Sequence, residues 1–89
     1  MKEYFEEFMK ALDCLNDLSK EEKGRIKGRI LELEFDLIEV IKDNENESTY
    51  YPYYSYDLTL THNGDLVMVI SVNGDEDITV SKLADWLLD

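Results

Sequence analysis

In 89 residues the chain carries 21 acids against 9 bases, a net charge of −12, yet 44% of it is hydrophobic and 11% aromatic. That length holds one hydrophobic core and excludes two ordinary domains, and the apolar content excludes a disordered chain, so residues 1–89 read as a single folded domain. One cysteine excludes an intrachain disulfide, acids near the N-terminus argue against a secretory leader, and no apolar run approaches the ~20 residues that cross a bilayer; a cytoplasmic protein without membrane contact is expected.

Residues 3–17 place Tyr4, Phe5, Phe8, Ala11, Leu12 and Leu15 at helical spacing, which predicts an amphipathic helix with Cys14 as a small buried thiol beside Leu15. Ser19-Lys20-Glu21-Glu22 is a capping box, in which hydroxyl and carboxylate satisfy each other's backbone donors, so a second helix starts there. Its end has two readings. Continued helix to Asp43 aligns Ile26, Ile30, Leu33, Leu37 and Val40 but must absorb Gly24 and Gly28, each costing up to about 1 kcal/mol. The alternation from Leu31 to Leu37 has instead the period of a half-buried strand, with Gly28 ending the helix and a bulge near Leu37 and Ile38. The strand is preferred, because the hairpin further along needs a third strand to be stable.

Residues 43–52 are polar and end on the only proline, which predicts a loop. Tyr54, Tyr56, Leu58 and Leu60 then alternate with polar residues as a strand with one apolar face. At Asn63-Gly64 a two-residue turn would oppose Leu60 to Val67 and Leu58 to Val69. A three-residue loop with Gly64 left-handed opposes Leu60 to Leu66, Leu58 to Met68 and Tyr56 to Ile70. The second register collects the large apolar groups on one face and leaves Val67 and Val69 on the other, so it is the one expected. Thr79 reads as the N-cap of a last helix carrying Val80, Leu83, Ala84 and Leu87, with a staple between Ile78 and Leu83 and the acids Asp75, Glu76 and Asp77 before its positive end. The sum is an α+β fold: two N-terminal helices, a three-stranded antiparallel sheet and a C-terminal helix, with the helices gathered on the apolar face.

Catalytic and ligand motifs do not emerge. His62 stands alone in a turn, neither C-x-x-C nor H-E-x-x-H occurs, and the glycines lack a phosphate-loop pattern. An EF-hand starting at Asp43 fails, because Ser48 and Tyr54 stand where Gly and Glu are required. The expectation is no enzyme, no cofactor and no metal.

The charge is unevenly placed. Residues 1–29 hold seven bases and seven acids, whereas residues 30–89 hold fourteen acids against Lys42 and Lys82, which is the whole of the −12. Such a field repels nucleic acid and anionic membrane and favours basic protein surfaces. In the strand reading Glu32, Glu34 and Asp36 form a row of carboxylates roughly 6.8 Å apart, a spacing that residues shaped for phosphates can accept. Asp43, Glu45 and Glu47 and the triplet Asp75, Glu76 and Asp77 extend the acidic surface. Tyr50, Tyr51 and Tyr53 suit interface anchors, since tyrosine buries area at low entropic cost and offers a hydroxyl. Trp86 reads as either a core flank or an anchor.

In size, acidity, uneven charge and α+β make-up the chain resembles small phage-encoded inhibitors: anti-CRISPR proteins, restriction inhibitors and other DNA mimics. The resemblance implies an inhibitor that occupies the nucleic-acid-binding groove of a defence nuclease. Its partner would be a basic nucleic-acid-binding protein such as a CRISPR effector, the acids named above would be its electrostatic contacts and the tyrosines its anchors. Two alternatives stay open: an immunity protein or antitoxin for a basic nuclease toxin, and a small structural homodimer joined through Val67 and Val69 or a strand edge.

Overall fold

Why the second helix starts where it does is visible in its cap. The Ser19 hydroxyl accepts from the Glu22 N–H at 3.1 Å, and Glu22 Oε1 accepts from the Ser19 N–H at 2.9 Å, the capping box read from the sequence. The computed structural model describes residues 2–47, 54–74 and 76–89. In chain order they form α1 (Phe5–Asp13), α2 (Lys20–Leu31), a 3-10 turn (Phe35–Leu37), β1 (Ile38–Glu47), β2 (Tyr54–His62), β3 (Asp65–Asn73), β4 (Asp77–Leu83) and a second 3-10 turn (Asp85–Leu87). The strands pair antiparallel in the order β1-β2-β3-β4, an α+β meander. No helix among the described residues is long and apolar enough to cross a membrane.

The first helix is shorter than expected. It begins behind Tyr4, held at φ 61°, and stops at Asp13, burying Phe8, Ala11 and Leu12. Cys14 is exposed at its C-terminal end rather than buried, because the chain turns there and sends Leu15 into the core instead.

Residues 30–42 divide between the two readings. α2 runs through Gly28 to Leu31 and buries Ile26 and Ile30, one helical turn apart. The expected strand over 31–37 does not form: Leu31 is 64% exposed, and Phe35 and Leu37 are exposed in the 3-10 turn. The strand starts at Ile38, where Ile38 and Val40 alternate inward, Val40 opposite the buried Leu60. Branched side chains fit that pleated surface better than the leucines before them. β1 then continues to Glu47, through residues that read as loop, and its bulge lies between Asp43 and Asn46 rather than at Leu37.

The β2–β3 turn takes neither simple register. Asn63 (φ 51°) and Gly64 (φ 84°) make a two-residue turn that pairs His62 with Asp65, and a bulge next to it then sets Leu60 opposite Met68 and Leu58 opposite Ile70. Two left-handed residues match the twist of a hairpin, and the bulge then restores the apolar face. Val67 (1% exposed) thereby joins the core, and Leu66 (44%) is turned out. Val67 is thus enclosed in the core rather than presented for a dimer contact, and Val69, across from Thr59 and Lys82 on the opposite face, is also buried, at 8% exposure.

The expected C-terminal helix is strand β4. Ile78 pairs with Val72 and Val80 with Ile70, both partly buried against the core, and Thr79 lies mid-strand instead of capping a helix. The run Ile-Thr-Val has strand propensity, and as a strand it satisfies the backbone edge that β3 would otherwise leave bare. The sheet therefore has four strands, not three. Both helices cover the face that carries Leu58, Leu60, Met68 and Ile70, and Leu87 of the last turn closes the core.

Candidate functional site

With the helices on one face, the other face of the sheet stands open, as antiparallel sheets allow. Alternation from the buried positions puts Glu39, Ile41 and Asp43 of β1 on it, with Asp57, Thr59 and Thr61 of β2, Val69 and Ser71 of β3, and Thr79 and Lys82 of β4. One cross-strand row reads Asp43, Asp57, Ser71, Thr79.

Asp43 directly opposite Asp57 is a pair of like charges, which by itself destabilises a ladder. The bulge answers it. Asn44, at φ 55°, donates its backbone N–H to Asp43 Oδ1 at 2.7 Å and its side-chain amide to Asp57 Oδ2 at 2.8 Å. The Ser71 hydroxyl donates to Asp57 Oδ1 at 2.8 Å. The two carboxylates are thus joined through neutral donors, without a cation between them. Asp57 was missed by the sequence reading; the only signal for it is its polar place in the alternation of β2.

The predicted acids fall into two groups. Asp43, Glu45 and Glu47 at the end of β1 lie at the same end of the sheet as Glu76 and Asp77, which enter β4, with Asp57 between them. Three strand spacings of ~4.8 Å separate β1 from β4, so this acidic end spans roughly 14 Å. Asp77 pairs with Asn73 at a strand turn, so these acids do not sit at a helix N-terminus as expected. Glu32, Glu34 and Asp36 are elsewhere. Glu32 caps α2, Glu34 precedes the 3-10 turn and Asp36 lies within it, all exposed, so they make no regular row. Tyr50, Tyr51, Tyr53 and Asp75 lie outside the described residues. Trp86 is exposed at 41% beside Arg29, Glu32 and Leu33.

Of the nine bases six are engaged, four with main-chain oxygens and two with carboxylates, while Lys10, Lys20 and Lys82 make no hydrogen bond or ion pair among the described residues, Lys82 on the open face. Lys23 Nζ donates to the Asp13 carbonyl, Arg25 to that of Leu88, Arg29 to that of Trp86 and to the main-chain oxygen of Asp89, and Lys2 to the Asp36 carbonyl. Among the described residues only Lys27 with Asp13 and Lys42 with Glu7 form ion pairs. Four of these contacts therefore go to peptide carbonyls and neutralise no carboxylate, and no ion pair among the described residues reaches the acidic end of the sheet.

Lys42 is the one base on β1, and it points to the helical side. Its ammonium lies 3.5 Å from Glu7 Oε2, 4.3 Å from the centre of the Tyr56 ring and 5.9 Å from that of Tyr4. Burial works against its charge, but the Glu7 carboxylate, with smaller help from Tyr56 and Glu45, outweighs it and holds the group above its usual range. At 3.5 Å this is an ion pair rather than a directed hydrogen bond, and Glu7 Oε2 is buried with no other partner.

No group of three or more metal-ligating side chains converges among the described residues, and their surface depressions are shallow and open. No protein-family model, curated protein or solved structure matches this chain.

Proposed function

We propose that the protein is an acidic inhibitor that occupies the nucleic-acid-binding surface of a defence nuclease, in the manner of an anti-CRISPR protein or DNA mimic. The observation that carries this reading is the segregation of charge. Lys2, Lys23, Arg25 and Arg29 are engaged with main-chain oxygens and Lys27 and Lys42 with carboxylates of α1, while Asp43, Glu45, Asp57, Glu76 and Asp77 share one end of the sheet without an ion pair among the described residues. A rigid strand scaffold holds those charges apart at ladder spacing, which suits a surface built to track phosphates. Asp43, Glu45, Glu76 and Asp77 are exposed to water, which a basic surface would displace, so binding is steered by charge and weakens with salt.

The test is capture of partners by the tagged full chain from nuclease-treated bacterial lysate at low and moderate salt. A retained basic nucleic-acid-binding protein, released by added DNA or RNA, is the expected result. The pair of reversals Asp43→Lys and Asp77→Lys should weaken that capture at least tenfold with the circular dichroism spectrum unchanged. Recovery of the chain alone at every salt would overturn the reading.

A further inference from the structure

The two edges of the sheet are treated differently. On β4 the Val80 N–H points outward and is occupied, donating to Asp17 Oδ2 at 3.0 Å. On β1 a contact at the start of the strand sets the parity of the ladder. The Asn63 N–H donates to the Leu37 carbonyl at 2.9 Å, and hydrogen-bonded pairs recur at every second residue of an antiparallel ladder. With Ile38 opposite His62 and Val40 opposite Leu60, the backbone groups of Glu39, Ile41 and Asp43 turn toward β2. Those of Ile38, Val40 and Lys42 turn outward. Among the described residues, none of these outward groups has a hydrogen-bond partner.

What lies beside that edge is the arm before α1. Lys2, Glu3 and Tyr4 face Glu39, Val40, Ile41 and Lys42 across an open groove of about 330 Å3. The arm covers the edge without pairing with it. Its ties are the Lys2 ammonium on the Asp36 carbonyl at 3.1 Å, the same ammonium 5.9 Å from the Phe35 ring, and Tyr4 beside Lys42. Tyr4 holds a left-handed backbone, which is strained for an aromatic residue, so swinging the arm aside releases strain as it breaks weak contacts.

We propose that the β1 edge is a strand-addition site for an extended basic segment of the partner protein. This rests on the reading of the partner as basic. An added strand would satisfy the outward groups of Ile38, Val40 and Lys42, and on the open face its alternate side chains would meet Glu39, Ile41 and Asp43 in turn. The complementary pattern is basic, apolar, basic at every second residue. A second copy of this chain fits worse, since it would bring another charge of −12 against the first.

The probe is the blocked peptide acetyl-Lys-Thr-Val-Thr-Lys-amide, added to the full chain and followed by amide hydrogen exchange in NMR spectra. Exchange at Ile38, Val40 and Lys42 should slow at least tenfold at saturation, and the same peptide N-methylated at alternate residues should produce no slowing. Val40→Pro, which removes an outward donor and no ladder bond, should abolish the effect, and the pair Glu39→Lys and Asp43→Lys should weaken peptide binding at least tenfold. Equal binding of the methylated peptide, or peptide binding without slowing at those three amides, would overturn the proposal. So would slowing that follows the protein's own concentration without peptide, which marks a second copy as the occupant. The function proposed above fails separately: if lysate capture retains a basic partner that Val40→Pro binds unchanged and the peptide is not protected, only the edge proposal falls.

Discussion

Asp17, in the connection between α1 and α2, sets its carboxylate against the outward N–H of Val80 at 3.0 Å and so occupies a donor on the free edge of β4. A single side chain both fastens the helical layer to the far side of the sheet and blocks an edge that would otherwise template pairing. Asp17→Ala should lower stability in urea by about 1 kcal/mol, less than a buried charge-assisted bond because the site is exposed. Sedimentation of that variant should show association rising with concentration, and Asp17→Asn, which keeps an acceptor, should stay monodisperse. Loss of stability without association would mean that the contact fastens the loop and does not protect the edge.

Lys42 and Glu7 couple β1 to α1 in the same way on the other side. Lys42→Met leaves Glu7 Oε2 buried without its cation, and Glu7→Gln leaves Lys42 with its aromatic neighbours and the weaker field of Glu45, so each single change should destabilise and the double change should cost less than their sum. A coupling of about 0.5–1 kcal/mol is expected for so partly exposed a pair. The sign with pH follows from the raised Lys42 value: its contribution is complete below the ordinary 10.5 and is lost as pH rises through the higher folded value. Urea titrations of the four variants at neutral and strongly alkaline pH check both, and a coupling that survives deprotonation would show that packing, not charge, joins the two.

These contacts also show where sequence reasoning reaches its limit. The start of α2 was legible because a capping box is local chemistry, complete within Ser19 to Glu22. The apolar face of β2 was legible because Leu58 and Leu60 alternate with threonines over a full strand. Residues 31–37 misled because Leu31, Leu33, Phe35 and Leu37 alternate as well as Ile38 and Val40 do, and only pairing with β2 selects between them. Residues 78–83 fit a helical and a strand period alike, and the free edge of β3 selected the strand. The meeting of Asp43 and Asp57 depends on register and on a bulge at Asn44, neither of which has a local signature, so the acidic end of the sheet could be assembled only in three dimensions.

The β2–β3 register makes opposite demands on neighbouring leucines, and substitution reads it out. Leu60 is fully buried, whereas Leu66, which the simpler three-residue loop would have placed opposite it in the core, is 44% exposed. Leu60→Ala should cost about 2–5 kcal/mol, a large part of the stability of a chain this short. Leu66→Ser should change it by no more than about 0.5 kcal/mol, as surface substitutions do. Thermal denaturation of the two variants distinguishes the registers, and a large loss in the Leu66 variant would contradict the bulge.

Glu22 supplies the acid-side counterpart. Accepting from the Ser19 backbone, with lesser contributions from the Ser19 hydroxyl and Arg25, holds its carboxyl below the ordinary value of 4.5. A depressed folded value means that its contribution is present above 4.5 and is lost as pH falls through the lower folded value. Acidification also relieves the repulsion within a chain of −12, so total stability need not fall over the same range. The comparison with Glu22→Gln removes that background, because glutamine keeps an acceptor for the Ser19 N–H and has no proton to take up. Wild type should exceed Glu22→Gln in stability at neutral pH and converge on it as pH drops well below 4.5, read by urea denaturation across that window. A difference that stays constant through the titration would show that the box is held by shape and hydrogen bonding alone, with the charge of Glu22 contributing nothing to α2.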